Sequence, residues 1–334
     1  MKVTVLGAGT WGTALSQVLA DNGHDVFLYA RKQKVVDEIN INHTNVAYFP
    51  KEIILSSKIH AVISLSEAIE HARILVFCVP TLALKSLLRD VIPFLKKKVI
   101  IVNTAKGFDP DKKQRLSDLI REEVPKEKRS GIISLIGPGH AEEVIQRQLT
   151  VVTATGQSLH ANRTIQNLFS TSYFRVYTNQ DEIGAEYGVA IKNAIAIASG
   201  ILEGLGYGDN ARAALVTRGL HEMVRFGKHF GGKTKTYLGL TGLGDLMVTC
   251  NSHHSRNFIA GVQIAKDNGA EHFLHSPHAT TEGIKTVETV YFIAQEHHIY
   301  MPIVEAIYQV LYQQAKPKEV ILSLMVRPLK KEED

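Results

Sequence analysis

Cysteine is scarce in this chain: 334 residues hold two, Cys78 and Cys250, with no CxxC pair. A disulfide framework is therefore excluded, and the usage fits a reducing compartment. No uncharged apolar run reaches the roughly 18–20 residues of a membrane span, because Lys192 and Glu203 interrupt the best candidate. No leader precedes the first motif, so a cytoplasmic location is expected. Neither sign of charge dominates: the formal net charge is +5, and the basic residues are scattered. Lys96-Lys97-Lys98 and Lys330-Lys331 are short surface runs, which argues against nucleic acid. The mild positive balance suits an anionic small molecule. Low-complexity linkers and fixed-period repeats are also missing.

What the chain has is a strand, a glycine turn and a helix at its start. Lys2 to Leu6 is β-rich, Gly7-Ala8-Gly9-Thr10-Trp11-Gly12 follows, and 13–20 has helical spacing. This is G-x-G-x-x-G in the setting that dinucleotide binding requires. The first glycine permits the tight turn, the second lets backbone approach a pyrophosphate, and the third lets helix pack on strand. N–H groups at the helix start then bind the phosphates. A second strand over 25–29 ends in Ala30-Arg31-Lys32, where many NAD-binding chains place a carboxylate for the ribose. Arg31 can grip a 2′-phosphate, so NADP(H) is expected to be accepted. If Arg31 only stacks on the adenine, either cofactor would serve.

Further strands are expected over 72–79, 99–102, 132–136, 151–154 and 174–177, with a helix over 82–91. Strands alternating with helices imply a mostly parallel sheet. Ligands of such sheets lie outside the carboxyl ends of the strands, which puts Pro80, Lys106 and Gly137 beside the cofactor. Lys106, in Thr104-Ala105-Lys106-Gly107, is a site residue or an ordinary loop lysine. Gly137-Pro138-Gly139 is expected to open a short helix whose N-terminus could hold an anion.

After residue 177 the alternation stops. Asp181 and Glu182 read as the N-cap and first-turn acid of a long helix. That helix holds Gly188 to Leu202, apolar nearly all round, and so is expected to be enclosed. Lys192 is its anomaly. A buried ammonium needs a polar or anionic partner, unless it snorkels to solvent. Lys192, Ala196, Ser199 and Glu203 form a narrow small-and-polar stripe, read as turned toward a cleft. Helices follow over 209–228, 255–267, 281–296, 302–314 and 318–324. The glycine-rich stretch 239–257 reads as non-helical, with Asp245 able to pair with a lysine. Ser255-Arg256-Asn257 at a helix start suits a phosphate, or is a plain N-cap with Arg256 solvated. His253, His254, His272, His275 and His278 lack a matching framework and read as surface residues, so no metal is expected. The fold class is an α/β dinucleotide-binding Rossmann-type domain over 1–185, with a mostly parallel sheet, followed by an all-α domain over 186–334 that carries substrate and catalysis.

Together these residues resemble bacterial-type NAD(P)-dependent glycerol-3-phosphate dehydrogenases over essentially the whole chain. The resemblance rests on the glycine turn, Thr104-Ala105-Lys106-Gly107, Gly137-Pro138 with Ala141-Glu142-Glu143, and Ala190-Ile191-Lys192-Asn193. It continues through 210–220, Gly242-Leu243-Gly244-Asp245-Leu246 with Thr249-Cys250, Ser255-Arg256-Asn257 and Thr281-Glu282-Gly283. It implies reversible hydride transfer between nicotinamide and dihydroxyacetone phosphate or sn-glycerol 3-phosphate, supplying phospholipid synthesis, and a possible homodimer. It implies Lys192 as proton acceptor, with Lys106 and Asp245 completing the catalytic group. Gly137, Ser255, Arg256 and Asn257 would lie on the substrate. Thr10, Trp11, Arg31, Lys106, Ala141, Arg256, Thr280 and Glu282 would line NADP(H) or NAD(H). Many relatives carry Ser or Thr where this chain has Gly139, whose backbone N–H could substitute. Two rivals stand beside this reading: a β-hydroxyacid-type Rossmann dehydrogenase, and a non-enzymatic nucleotide-sensing module.

Overall fold

In the computed structural model, residues 1–70, 72–276, 281–329 and 331–332 are described. The chain divides into two compact units, Met1–Glu186 and Tyr187–Asp334. The strands, all in the first, are β1 (Lys2–Leu6), β2 (Asp25–Tyr29), β3 (Ile59–Val62), β4 (Ile74–Phe77), β5 (Val99–Asn103), β6 (Arg129–Ile136), β7 (Thr150–Thr155) and β8 (Phe174–Asn179). The helices of this unit are α1 (Thr10–Asp21), α2 (Gln33–Asp37), α3 (Leu65–Ile69), α4 (Thr81–Val91), α5 (Leu116–Glu123), α6 (Ala141–Val144) and α7 (Leu159–Phe169). Next comes α8 (Glu182–Gly204), then α9 (Asp209–His229), α10 (Thr234–Tyr237), α11 (Asp245–Cys250), α12 (Arg256–Lys266), α13 (Glu271–Leu274), α14 (Glu282–Glu296), α15 (Pro302–Tyr312) and α16 (Pro317–Met325). Among the described residues no helix is long and apolar enough to cross a membrane.

One sheet runs in the order β3-β2-β1-β4-β5-β6-β7-β8. The first six strands are parallel, β7 is antiparallel to β6, and β8 is parallel to β7. Period-two alternation sends Ile100 and Val102 of β5 into one core with α1 and α7, and Val99 and Ile101 into another with α4 and α5. Both faces are thus covered, as a parallel sheet requires. Gly137 ends β6 at φ 147, where a Cβ would stand 3.1 Å from the Val152 Cα. The reversal into β7 therefore depends on glycine there.

In the second unit α8 is enclosed by backbones that approach it closely. A Cβ on Gly200 would meet the Phe258 carbonyl oxygen at 2.0 Å, and one on Gly261 would meet that of Ile197 at 2.1 Å. Gly219 of α9 sits over the Ile195 side chain, whose Cγ2 a Cβ there would meet at 2.7 Å. The expected enclosure of this apolar helix is what these contacts produce. Its start is capped as read from sequence: Asp181 Oδ1 accepts from the Gly184 N–H at 3.0 Å.

The stretch 239–257 departs from the non-helical expectation. Leu240–Gly244 is a π-helical turn leading directly into α11. Glycine's low helix propensity is overridden by packing, since a Cβ on Gly242 would lie 2.1 Å from the Tyr237 carbonyl oxygen.

Glu186 holds the first turns of α8 within the sheet-bearing unit. Its carboxyl accepts from Ser117 Oγ at 2.8 Å and Ser134 Oγ at 2.6 Å. Burial, reinforced by nearby Glu182, pushes it up from an ordinary 4.5 to about 7. The folded chain therefore holds a proton that the unfolded chain releases. This stabilisation is complete below about pH 4.5 and is lost as pH rises through about 7. Its ceiling is about 3.5 kcal/mol, at about 1.4 kcal/mol per pH unit. Thermal melts across that range are expected to show Glu186→Gln gaining on wild type as pH rises. Parallel curves would reject the assignment.

Candidate active site

The glycine turn is built as its spacing requires. Gly7 has φ 117, outside the range of L-residues, and its N–H donates to the Tyr29 carbonyl at 3.1 Å. A Cβ on Gly12 would fall 1.8 Å from the Gly7 carbonyl oxygen, so α1 can only seat on the turn as glycine. At Gly9 a Cβ would meet nothing within 4 Å. Gly9 is the N-cap of α1, with no side-chain cap and no acid in the first turn. The first-turn N–H groups, at Thr10, Trp11 and Gly12, thus lack intrahelical acceptors beside open space at Gly9, the arrangement of a phosphate cradle. The residues present fit a dinucleotide. Arg31 is exposed just past β2. Asn45, not singled out in the sequence, ties the turn down: its Nδ2 donates to the Ala8 carbonyl at 3.2 Å and to Thr13 Oγ1 at 2.9 Å.

Lys106 stands on a turn fixed by the buried Asn103 side chain, which pairs with both the N–H and the carbonyl of Ala105 at 3.1 Å. Its Nζ donates to the Gly137 carbonyl at 3.1 Å, so these two expected site residues meet. Gly139 lies against Trp11: a Cβ there would be 3.2 Å from the ring and 3.5 Å from Thr150 Cγ2. Ala141 is buried at the start of α6. That helix is one turn long, with Glu142 and Glu143 in it, so it does not carry the expected anion site.

Lys192 does not snorkel; it is 4% exposed. Its Nζ donates to Asp245 Oδ1 and to Thr249 Oγ1, each at 2.5 Å. Thr249 Oγ1 donates in turn to the Asp245 carbonyl at 2.6 Å, so its proton is committed and its lone pair faces the ammonium. Thr249 follows Asp245 by four residues on α11, a relation invisible while the stretch read as a loop. The stripe is packed rather than open as far as Ser199, and α11 meets it at Lys192 and Ser199. Ala196 and Ser199 are fully buried, and Ser199 Oγ donates to the Cys250 carbonyl at 2.8 Å. Glu203 pairs with Arg212.

Ser255 caps α12 by accepting from the Phe258 N–H at 3.3 Å, and Arg256 is exposed at N1. Asn257 Oδ1 accepts from the Gly283 N–H at 2.9 Å, joining the start of α14 to α12. Glu282, in the first turn of α14, is half-buried. Thr280 and His278 lie outside the described residues. His253, His254, His272 and His275 are exposed.

Family models cover both halves of the chain. The N-terminal model of NAD-dependent glycerol-3-phosphate dehydrogenase matches residues 2–162, and the C-terminal model matches 181–322. The chain belongs to the NAD-dependent glycerol-3-phosphate dehydrogenase family. A glycerol-3-phosphate dehydrogenase [NAD(P)+] of Bacillus velezensis is 47% identical over 98% of this chain and 94% of its own length. One from Streptococcus thermophilus is 45% identical over 100% of this chain and 98% of its own. The crystal structure of glycerol-3-phosphate dehydrogenase from Coxiella burnetii superposes with a TM-score of 0.88 at 32% identity, covering 98% of this chain and 99% of that one. Family membership makes the protein an NAD(P)-dependent oxidoreductase.

The two glycines flanking Thr10 and Trp11 are expected to fail differently. Gly12→Ala should destabilise the fold by about 1–3 kcal/mol through overpacking. Gly9→Ala should leave stability within about 0.5 kcal/mol but weaken dinucleotide binding about tenfold or more. Denaturant melts and titration of Trp11 fluorescence separate the two, and a reversed pattern would refute the cradle.

Proposed function

We propose that Lys192 transfers the proton in the reversible interconversion of sn-glycerol 3-phosphate and dihydroxyacetone phosphate, with Asp245 and Thr249 aiming it. The reading is carried by the buried Lys192–Asp245–Thr249 cluster, in a chain that belongs to a glycerol-3-phosphate dehydrogenase family. Oxidation of a secondary alcohol needs a base for the hydroxyl proton, and the reverse reduction needs the same group as an acid. The nicotinamide, when bound, supplies the hydride acceptor or donor. The neutral Lys192 amine takes the alcohol proton in one direction, and the ammonium so formed, the form that pairs with Asp245, returns it to the forming alkoxide in the other. Asp245 and Thr249 fix its direction, which limits the geometries the proton can sample.

Lys106 and Gly137, with Gly139 through its backbone N–H, belong to the substrate and cofactor side of this reading. Ser255, Arg256 and Asn257 would hold the phosphate, through a guanidinium and the N-terminus of α12. Gly7, Gly9, Thr10, Trp11, Gly12, Arg31, Ala141, Thr280 and Glu282 belong to the dinucleotide. A cytoplasmic homodimer that supplies glycerophosphate for phospholipid synthesis accompanies the reading.

Lys192→Ala is expected to lower kcat for NADPH oxidation by dihydroxyacetone phosphate by about 10²–10⁴, the usual range for a general acid–base group. Trp11 is the one tryptophan, so its fluorescence verifies that the variant still folds and binds cofactor. Undiminished turnover, or a wild type that binds cofactor yet ignores dihydroxyacetone phosphate, rejects the proposal.

Arg31→Ala should raise the NADPH Michaelis constant about tenfold or more, with little change for NADH, because a charge-assisted 2′-phosphate contact is lost. An unchanged NADPH constant removes Arg31 from 2′-phosphate recognition.

A further inference from the structure

His229 is the last residue of α9, and His297 is the C-cap of α14. Their rings face each other, with His229 Nε2 3.2 Å from His297 Nδ1 and centroids 5.0 Å apart. Two imidazoles on one tetrahedral ion, each at about 2.0–2.1 Å, have nitrogens about 3.3 Å apart and centroids about 5 Å apart. A head-on hydrogen bond of the same length would place the centroids about half an ångström farther apart, since each nitrogen lies roughly 1.2 Å from its ring centre. The pair is hydrogen-bonded with its rings inclined at 65°, and its separation equals that of two imidazoles on one ion.

Phe230 holds both rings. It meets His229 edge-on at 4.9 Å and 74°, and His297 at 5.1 Å and 80°. Phe230 is itself packed on Phe226 and Tyr187, at 5.1 and 5.2 Å. The imidazoles are exposed to solvent while their orientations are braced from beneath. Two helix C-termini end at this point, and the negative ends of their dipoles favour a cation there.

We propose that His229 and His297 form a two-histidine site for a divalent transition ion of the zinc, nickel or copper type, for which imidazole is a suited ligand. Among the described residues no group of three His, Cys, Asp or Glu side chains is placed to hold a metal. The pair thus supplies two ligands, and water completes the shell. Occupancy links the end of α9 to the end of α14. In the metal-free pair one facing nitrogen carries a proton and the other accepts. On binding, that proton moves to the far nitrogen of its own ring, so both facing lone pairs meet the ion and no net proton is released. The site lies outside the catalytic residues and does not depend on their assignment.

Calorimetric titration of untagged, chelator-treated full-length protein with Zn²⁺ and Ni²⁺ tests this. Wild type should bind one equivalent at a site that His229→Gln and His297→Gln each weaken about tenfold or more, since even an outer-shell partner is worth 10–100-fold. Zn²⁺ should raise the Tm of wild type and not of the double variant, as a ligand bound only by the folded state must. His272→Gln and His275→Gln, which alter exposed imidazoles on or beside α13, should bind as wild type. An equivalent retained in the double variant, or lost in the α13 variants instead, overturns the proposal, as does the absence of binding to wild type.

Discussion

The contact on which the helical unit depends is the one between the Lys192 ammonium and the Asp245 carboxylate, 2.5 Å apart and almost wholly out of water. Removing two charges from solvent costs several kcal/mol per ion, and only good geometry with further hydrogen bonds offsets it. Thr249 supplies one such bond. The rest of the arrangement brings these groups together and keeps them there. Gly188 lets α8 approach the Thr241 carbonyl, and Gly242 lets the π-helical turn fold onto Tyr237. Asp245 follows directly at the start of α11. A buried ion pair of this kind is poor support for stability and good support for a specified geometry, because losing one partner leaves a buried charge worth about 3–5 kcal/mol.

The sheet-bearing unit solves a different problem, that of presenting backbone rather than side chains. The turns at the carboxyl ends of β1, β5 and β6 carry its expected site residues. Each turn is fixed by something a short motif cannot show. Asn45, from a segment far along the chain, pins the glycine turn. Asn103 folds back on Ala105 and so sets the base of Lys106. Gly137 permits the sheet to reverse while offering its carbonyl to Lys106.

Much of this was legible because it is local. The glycine turn, β1, β2 and the apolar helix with its single lysine follow from spacing within a few residues. Most other sheet strands were placed to within a few residues at their ends. What escaped depends on tertiary neighbours. The edge strand β3 is four residues long, and α5 and α7 were not anticipated at all. The stretch 239–257 was read by propensity as a loop, whereas packing on Tyr237 makes it a π-turn and a helix. Reading the stretch as a loop also hides Thr249 as a partner of Lys192. The stripe Lys192-Ala196-Ser199-Glu203 follows from helical periodicity, which carries no information about what lies opposite: α11 meets Lys192 and Ser199, whereas Glu203 pairs with Arg212.

Gly139 shows how the space at one turn is set from elsewhere in the chain. A hydroxyl-bearing side chain after Gly-Pro would need a Cβ at 3.2 Å from the Trp11 ring and 3.5 Å from Thr150. The first distance is too close for a ring at rest, so the indole would have to shift. Trp11, however, is the second residue of α1, between Gly9 and Gly12, and its backbone belongs to the turn that the glycines shape. A side chain at residue 139 therefore needs the rim of the ring at residue 11 to give by a few tenths of an ångström. The backbone N–H of Gly139 makes no such demand.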